Sequence, residues 1–231
     1  MTQTIRTSIC ISALMISMLL CSLSAHAQKK KKQEYLTLKN DTTALWRGLA
    51  LSFDLVGAIQ LAVSDYGQYE GALRINLKDR WFPIVEAGLG KADASDDVTR
   101  ITYSTSAPYA RIGMDFNVMK NKHDVYRLYA GARYAFTSFK YDVSHPGVED
   151  PWWGGKAEYQ ERDVKCTYHW VELCFGVDAK IFGPIHLGWS VRYKNKLAAT
   201  NKGEGNMYYV PGYGKEGSSR LGGTFNIIID I

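Results

Sequence analysis

Downstream of residue 27 the chain carries four histidines, His123, His145, His169 and His186. A histidine activates a nucleophile only with a hydroxyl or thiol in reach and a carboxylate to orient it. His123 is expected in a short turn and His145 precedes Pro146 in a long connection. His169 and Glu172 form the nearest approach to a pair, but odd and even positions of a strand project to opposite faces. None of these four stands two residues from a serine, and no catalytic centre is read from these positions. Cys166 and Cys174, eight apart on one strand, would lie roughly 26 Å from each other, beyond disulfide reach. They read as interior fillers. Asp93, Asp96 and Asp97 offer oxygen ligands of the kind calcium takes, without the glycine turn and later glutamate of a defined loop, and read as a solvated acidic loop. No metal and no cofactor is expected. The aromatic clusters are more suggestive. Trp152 and Trp153 stand in the run 151–155, and Tyr208, Tyr209 and Tyr213 in the run 208–213. Exposed rings of this kind stack on sugars and on protein partners, so these five are the candidate binding residues. The other reading is that the rings pack on each other and cap whatever lies beneath.

The elements that must carry these residues show a period of two. Segments 47–62, 69–79, 82–91, 107–118, 125–141, 166–181, 185–197 and 221–231 each alternate apolar and polar side chains. In 107–118, for example, Ala110, Ile112, Met114, Phe116 and Val118 oppose Tyr109, Arg111, Gly113, Asp115 and Asn117. This predicts an all-β chain with eight antiparallel strands. Each is long enough for the roughly 9–11 residues with which a tilted strand crosses a bilayer. The connections alternate in length: short after the second, fourth and sixth strands, long at 92–106, 142–165 and 198–219. Such asymmetry fits an up-and-down transmembrane β-barrel over residues 47–231, with tight periplasmic turns and larger outer loops.

Alternation alone leaves the inside undetermined, because a soluble lipocalin-type barrel also alternates. Side-chain size separates the two. The apolar face is bulky, whereas the polar face mixes glycines with offsetting charges: Asp54, Glu86, Asp115 and Glu172 against Arg74, Arg111, Arg133 and Arg192. An eight-stranded barrel has room inside only for side chains, so small residues and paired charges belong there. Trp46, Tyr69, Trp81, Tyr126, Trp189 and Tyr193 then form interfacial girdles.

Residues 1–27 have the parts of a secretory signal: Arg6, the apolar run Ile9 to Leu23, and Ala25-His26-Ala27 as a cleavage site. Residues 28–46 form a basic segment, expected on the periplasmic side. Lys29 to Lys32, with Arg6, account for the whole difference between 28 basic and 23 acidic residues. The basic character is thus a tail and not a patch on the fold, which argues against nucleic-acid binding. With 231 residues, 46% hydrophobic and 13% aromatic, the chain is neither disordered nor dependent on staples to fold.

Across residues 47–231 the chain resembles the small OmpA/OmpX-type outer-membrane barrels of Gram-negative bacteria, through its signal, strand count, loop asymmetry and terminal apolar strand Ile227-Ile228-Ile229-Asp230-Ile231. It looks most like the eight-stranded barrel families without assigned activity. The terminal aromatic residue common in such proteins is absent here. The resemblance implies an outer-membrane location, contact with outer-membrane lipid and lipopolysaccharide, insertion by the barrel assembly machinery, and a structural or surface-loop role toward a glycan or protein ligand. Eight-stranded barrels that transfer or remove acyl chains of lipid A share the scaffold, and supply the alternative function. A soluble exported barrel holding an apolar ligand is the third.

Overall fold

The computed structural model describes residues 44–149, 156–203 and 207–231. Trp152, Trp153, the expected signal (residues 1–27) and residues 28–43 of the basic segment lie outside them. Strand β1 (Trp46–Asp54) is followed by helix α1 (Leu55–Val63), β2 (Tyr66–Leu77), β3 (Trp81–Ser95), β4 (Thr102–Asn117), β5 (Tyr126–Glu149), β6 (Lys156–Phe182) and β7 (Ile185–Asn201). Two short strands, β8 (Tyr209–Val210) and β9 (Gly214–Lys215), precede β10 (Ser219–Asp230). The eight long strands pair antiparallel with their sequence neighbours, and β1 pairs β10 to close a barrel.

The alternation read from the sequence is the alternation of the wall. In β4 every second residue from Tyr103 to Asn117 points inward and is buried, except Gly113, which is half-buried. Outward side chains are large and apolar: Val85 and Leu89 on β3, Ile112 on β4, Phe136 on β5, Leu173 and Phe175 on β6, Val191 on β7. The polar face turns inward, and Glu86, Arg111, Asp115, Arg133, Glu172 and Arg192 are all buried. Trp46, Tyr69, Trp81 and Tyr193 stand exposed on the outer surface, and Trp189 packs its ring 4.8 Å from Phe225 there.

Two features differ from the sequence reading. The first strand stops at Asp54, and residues 55–63 turn into a helix. The Asp54 carboxylate caps it, accepting from the N–H groups of Val56 and Gly57 at 3.1 Å each, and also accepts from Phe225 N–H at 3.2 Å. Leu55, Ile59 and Leu61 satisfy a period of two, but Leu55, Ile59 and Val63 equally satisfy a spacing of four, and the cap decides for the helix. In consequence β1 pairs β10 only from Ala50–Asp230 to Asp54–Asn226. Beyond that point α1 takes the place of strand in the wall, lying against β2 and β10. Gly57 and Gly67 permit the close approach: a Cβ on Gly67 would stand 2.4 Å from Leu61 N. The second difference concerns the connection 142–165. It is mostly strand, because β5 and β6 continue as a long hairpin pairing as far as Glu149 with Lys156, and the connection expected at 92–106 shrinks in the same way to 96–101, with Ser95 paired to Thr102.

Candidate functional site

Buried polar and aromatic groups of the described residues converge in the lumen, which is built in three layers. At the outer end, the chain between β7 and β10 folds back into the barrel mouth. Tyr209, Val210 and Tyr213 are buried there against Tyr103, Tyr109, Tyr141, Tyr168 and Trp170 from the strands. This inserted segment is fastened through its backbone. Gly212 C=O accepts from Arg111 Nη2 at 2.8 Å and from Lys194 Nζ at 2.7 Å, and Tyr213 C=O accepts from Lys194 at 3.1 Å. Tyr103 Oη donates to Tyr209 C=O at 2.7 Å, while Tyr209 Oη donates to Gly67 C=O at 3.1 Å. Gly212 has φ +80° and lies on the Tyr109 ring, where a Cβ would approach to 2.6 Å. A side chain at this position would be strained and would also clash.

Beneath the plug lies a network of charges centred on Glu86. Arg133 Nε donates to Glu86 Oε1 at 2.7 Å, Arg192 Nη1 stands 2.8 Å from its Oε2, and Arg111 Nη1 stands 3.1 Å away. Arg111 also pairs with Glu70 and, through Nε at 2.9 Å, with Glu172. Arg133 reaches Asp115 at 3.0 Å. Tyr109 Oη donates to Glu70 at 2.7 Å and Trp170 Nε1 to Glu172 at 2.7 Å, tying the aromatic layer to the ionic one. Small residues give the large ones room, since a Cβ on Gly113 would stand 2.6 Å from Arg133 Cγ. The free space among Asp54, Glu70, Asp115 and Arg133 is about 20 Å³, the scale of a single water and not of a channel.

The third layer closes the opposite end. His186 lies between Asp178, 3.0 Å from Nδ1, and Asp230, 3.1 Å from Nε2. Arg74 donates to Asp178 at 2.6 Å, and Arg127 reaches Asp178 and Asp230 at 3.7 and 3.6 Å. In the turn outside this layer, Asp79 holds Arg47 at 3.2 Å, His123 Nδ1 at 2.7 Å and Asn76 Nδ2 at 2.7 Å. Burial alone would raise the Asp79 carboxyl, but the hydrogen bonds from His123 and Asn76 and the nearby charge of Arg47 hold it below its ordinary value.

Of the five candidate binding residues, Tyr209 and Tyr213 therefore sit inside the barrel, at 1% and 2% exposure. Tyr208 is 37% exposed, with its ring 5.9 Å from that of Tyr103 and the Lys215 ammonium 5.0 Å above it. The histidines are dispersed: His169 faces outward and bonds Tyr134 Oη at 2.7 Å, whereas Glu172 faces inward. Cys166 and Cys174 are free and buried. The Asp96 carboxylate is engaged by the N–H groups of Val98 and Thr99 at 2.9 and 2.8 Å. The sequence reading passed over Glu70, Lys194 and the His186–Asp230 contact. Their inward parity was available, but their partners come from strands far apart in sequence.

Chemically this arrangement compensates charge and fills space. An apolar cavity of the lipocalin kind is not what the lumen holds. A family model described as "Domain of unknown function (DUF6048)" matches residues 6–230. No curated protein and no solved structure matches the chain.

Proposed function

We propose that the chain, which belongs to this family of unknown-function domains, is an integral outer-membrane β-barrel of Gram-negative type, closed along its lumen and structural or surface-binding in role. The observation that carries the reading is the sidedness of the wall. Leucine, isoleucine, valine and phenylalanine crowd the outside, while six carboxylates, Glu70, Glu86, Asp115, Glu172, Asp178 and Asp230, meet arginines inside. In water such an exterior costs free energy at every strand, whereas in a bilayer it is the required surface. Helix α1 supports the reading as well. Unpaired strand edges are costly in hydrocarbon, and a helix satisfies its own backbone where β1 no longer pairs β10. Its outward Ile59 and Val63 are exposed and apolar.

The plug and the charge network argue against a diffusion pore, so planar-bilayer recordings are expected to show no steady conductance. Any recognition falls to the parts beyond the wall: the β5–β6 hairpin and Tyr208 beside the plug, with Trp152 and Trp153 lying in the sequence that joins the two strands. Gel mobility of the membrane fraction, unboiled against boiled, tests the location. A compact fast-running band that disappears on boiling is expected. Protein recovered in the soluble fraction with no heat-dependent shift refutes the proposal.

A further inference from the structure

The outer third of the wall carries a groove of about 560 Å³ spanning β4 to β7. It exists partly because the β4–β5 ladder lapses between Thr105–Tyr141 and Tyr109–Thr137, where Pro108 has no N–H to offer. Two rows of outward side chains line it. Ser138 faces Thr167 across β5–β6, and Thr167 faces Thr200 across β6–β7, giving three hydroxyls in register. Two residues farther out, roughly 7 Å along the strands, Lys140 stands directly opposite Lys165. Lys202, whose backbone N–H donates to Lys165 C=O at 3.3 Å, extends the row onto the chain after β7. On the other side of the hydroxyl row Phe136 and His169 face each other with rings 5.0 Å apart. The surface thus passes from aliphatic to aromatic, then to hydroxyl and then to ammonium within a few rungs.

Like charges directly opposite on neighbouring strands repel. Asp163 offsets one of them, 2.9 Å from Lys140, and Asp142 lies beyond it, accepting from Asp163 N–H at 2.7 Å. Among the described residues no ion pair reaches Lys165 or Lys202, although the Asp163 carboxylate also feels the Lys165 charge. We propose that this groove binds the phosphorylated headgroup of an outer-leaflet lipid, the ammoniums taking phosphate and the hydroxyl row its sugar. The inference rests on the membrane reading of the wall, which sets the groove at headgroup level with the acyl chains against the aromatic band.

The test is a titration of the purified full chain in neutral detergent with bis-phosphorylated lipid A, bound lipid being counted by native mass spectrometry. The wild-type barrel is expected to hold one lipid A, and Lys140→Gln/Lys165→Gln/Lys202→Gln to bind at least about tenfold more weakly. Dephosphorylated lipid A should bind the wild type no better than that variant. A control, Lys78→Gln/Lys120→Gln/Lys180→Gln at the opposite end, should leave affinity unchanged. Equal binding by the groove variant, equal loss in the control, or complete displacement by inorganic phosphate alone overturns the inference. Heat-dependent gel mobility of the same samples separates the two readings. A heat-modifiable barrel indifferent to the substitutions removes the groove alone, and a protein soluble without detergent removes both.

Discussion

Ile112 stands in the middle of β4, opposite Val85 on β3 and Tyr134 on β5, and 61% of its side-chain surface faces outward. Replacing it by arginine asks directly what medium surrounds the wall. In hydrocarbon near the midplane of a barrel, arginine costs about 2–4 kcal/mol. On a wetted surface with no special contact the same change stays within about 0.5 kcal/mol. At roughly 2 kcal/mol per molar urea, the membrane case lowers the unfolding midpoint by about 1–2 M, and the wetted case by about 0.2 M. Urea titration of the barrel folded into phosphatidylcholine vesicles, followed by tryptophan fluorescence and gel mobility, resolves the two. Val98→Arg supplies the control, since Val98 is 92% exposed in the connection after β3. The expected result is a large drop for Ile112→Arg and none for Val98→Arg. Coincident titrations for the two variants and the wild type would refute the membrane reading of the outer face.

Glu86→Ala leaves Arg111, Arg133 and Arg192 without their common carboxylate, and breaking a buried pair of this kind costs about 3–5 kcal/mol. The same urea titration measures it, and a loss below about 1 kcal/mol would mean that the lumen is wet. Gly212→Val combines a positive φ with a clash on Tyr109 and should free the 207–217 segment from the mouth, at about 1–3 kcal/mol. Limited proteolysis of intact barrels should then cut there in the variant and spare the wild type. The Asp79 carboxyl sits below its ordinary value of 3.8, so its stabilisation is complete above that value and is lost as pH falls through the lowered one. Asp79→Asn is therefore expected to be less stable than the wild type at neutral pH, with the gap closing in strong acid, and a gap independent of pH would count against the reading.

How much of this was legible follows from what each signal depends on. The strand faces were readable because alternation is a property of single strands: Ala110, Ile112 and Met114 declare one side and Arg111 and Asp115 the other without reference to anything else. Helix α1 was not, since its residues fit both periods and the deciding fact is the use of the Asp54 carboxylate. The extended β5–β6 hairpin was not, because Lys140, Asp142 and Asp163 alternate with nothing apolar on their own face once the wall is left behind. The plug was least legible of all. Residues 207–217 have no period, and what holds them is Lys194 and Arg111 from strands remote in sequence.

Charge compensation shows the same division. Parity places four acids and four arginines inside, which balance as a list, but the pairing is not the one that list suggests. Glu70, Asp178 and Asp230 add three carboxylates, and the described strands add Arg127, which reaches Asp178 and Asp230, and Lys194, which is spent on the carbonyls of Gly212 and Tyr213. His186 completes the set. Its Nδ1 is hydrogen-bonded to Asp178 at 3.0 Å, and its Nε2 stands 3.1 Å from Asp230 without hydrogen-bond geometry. The histidine that reads as an isolated residue at the start of a strand is thus set between two lumen carboxylates. It fastens β10 to β6 and β7 at the end where β1 closes the barrel.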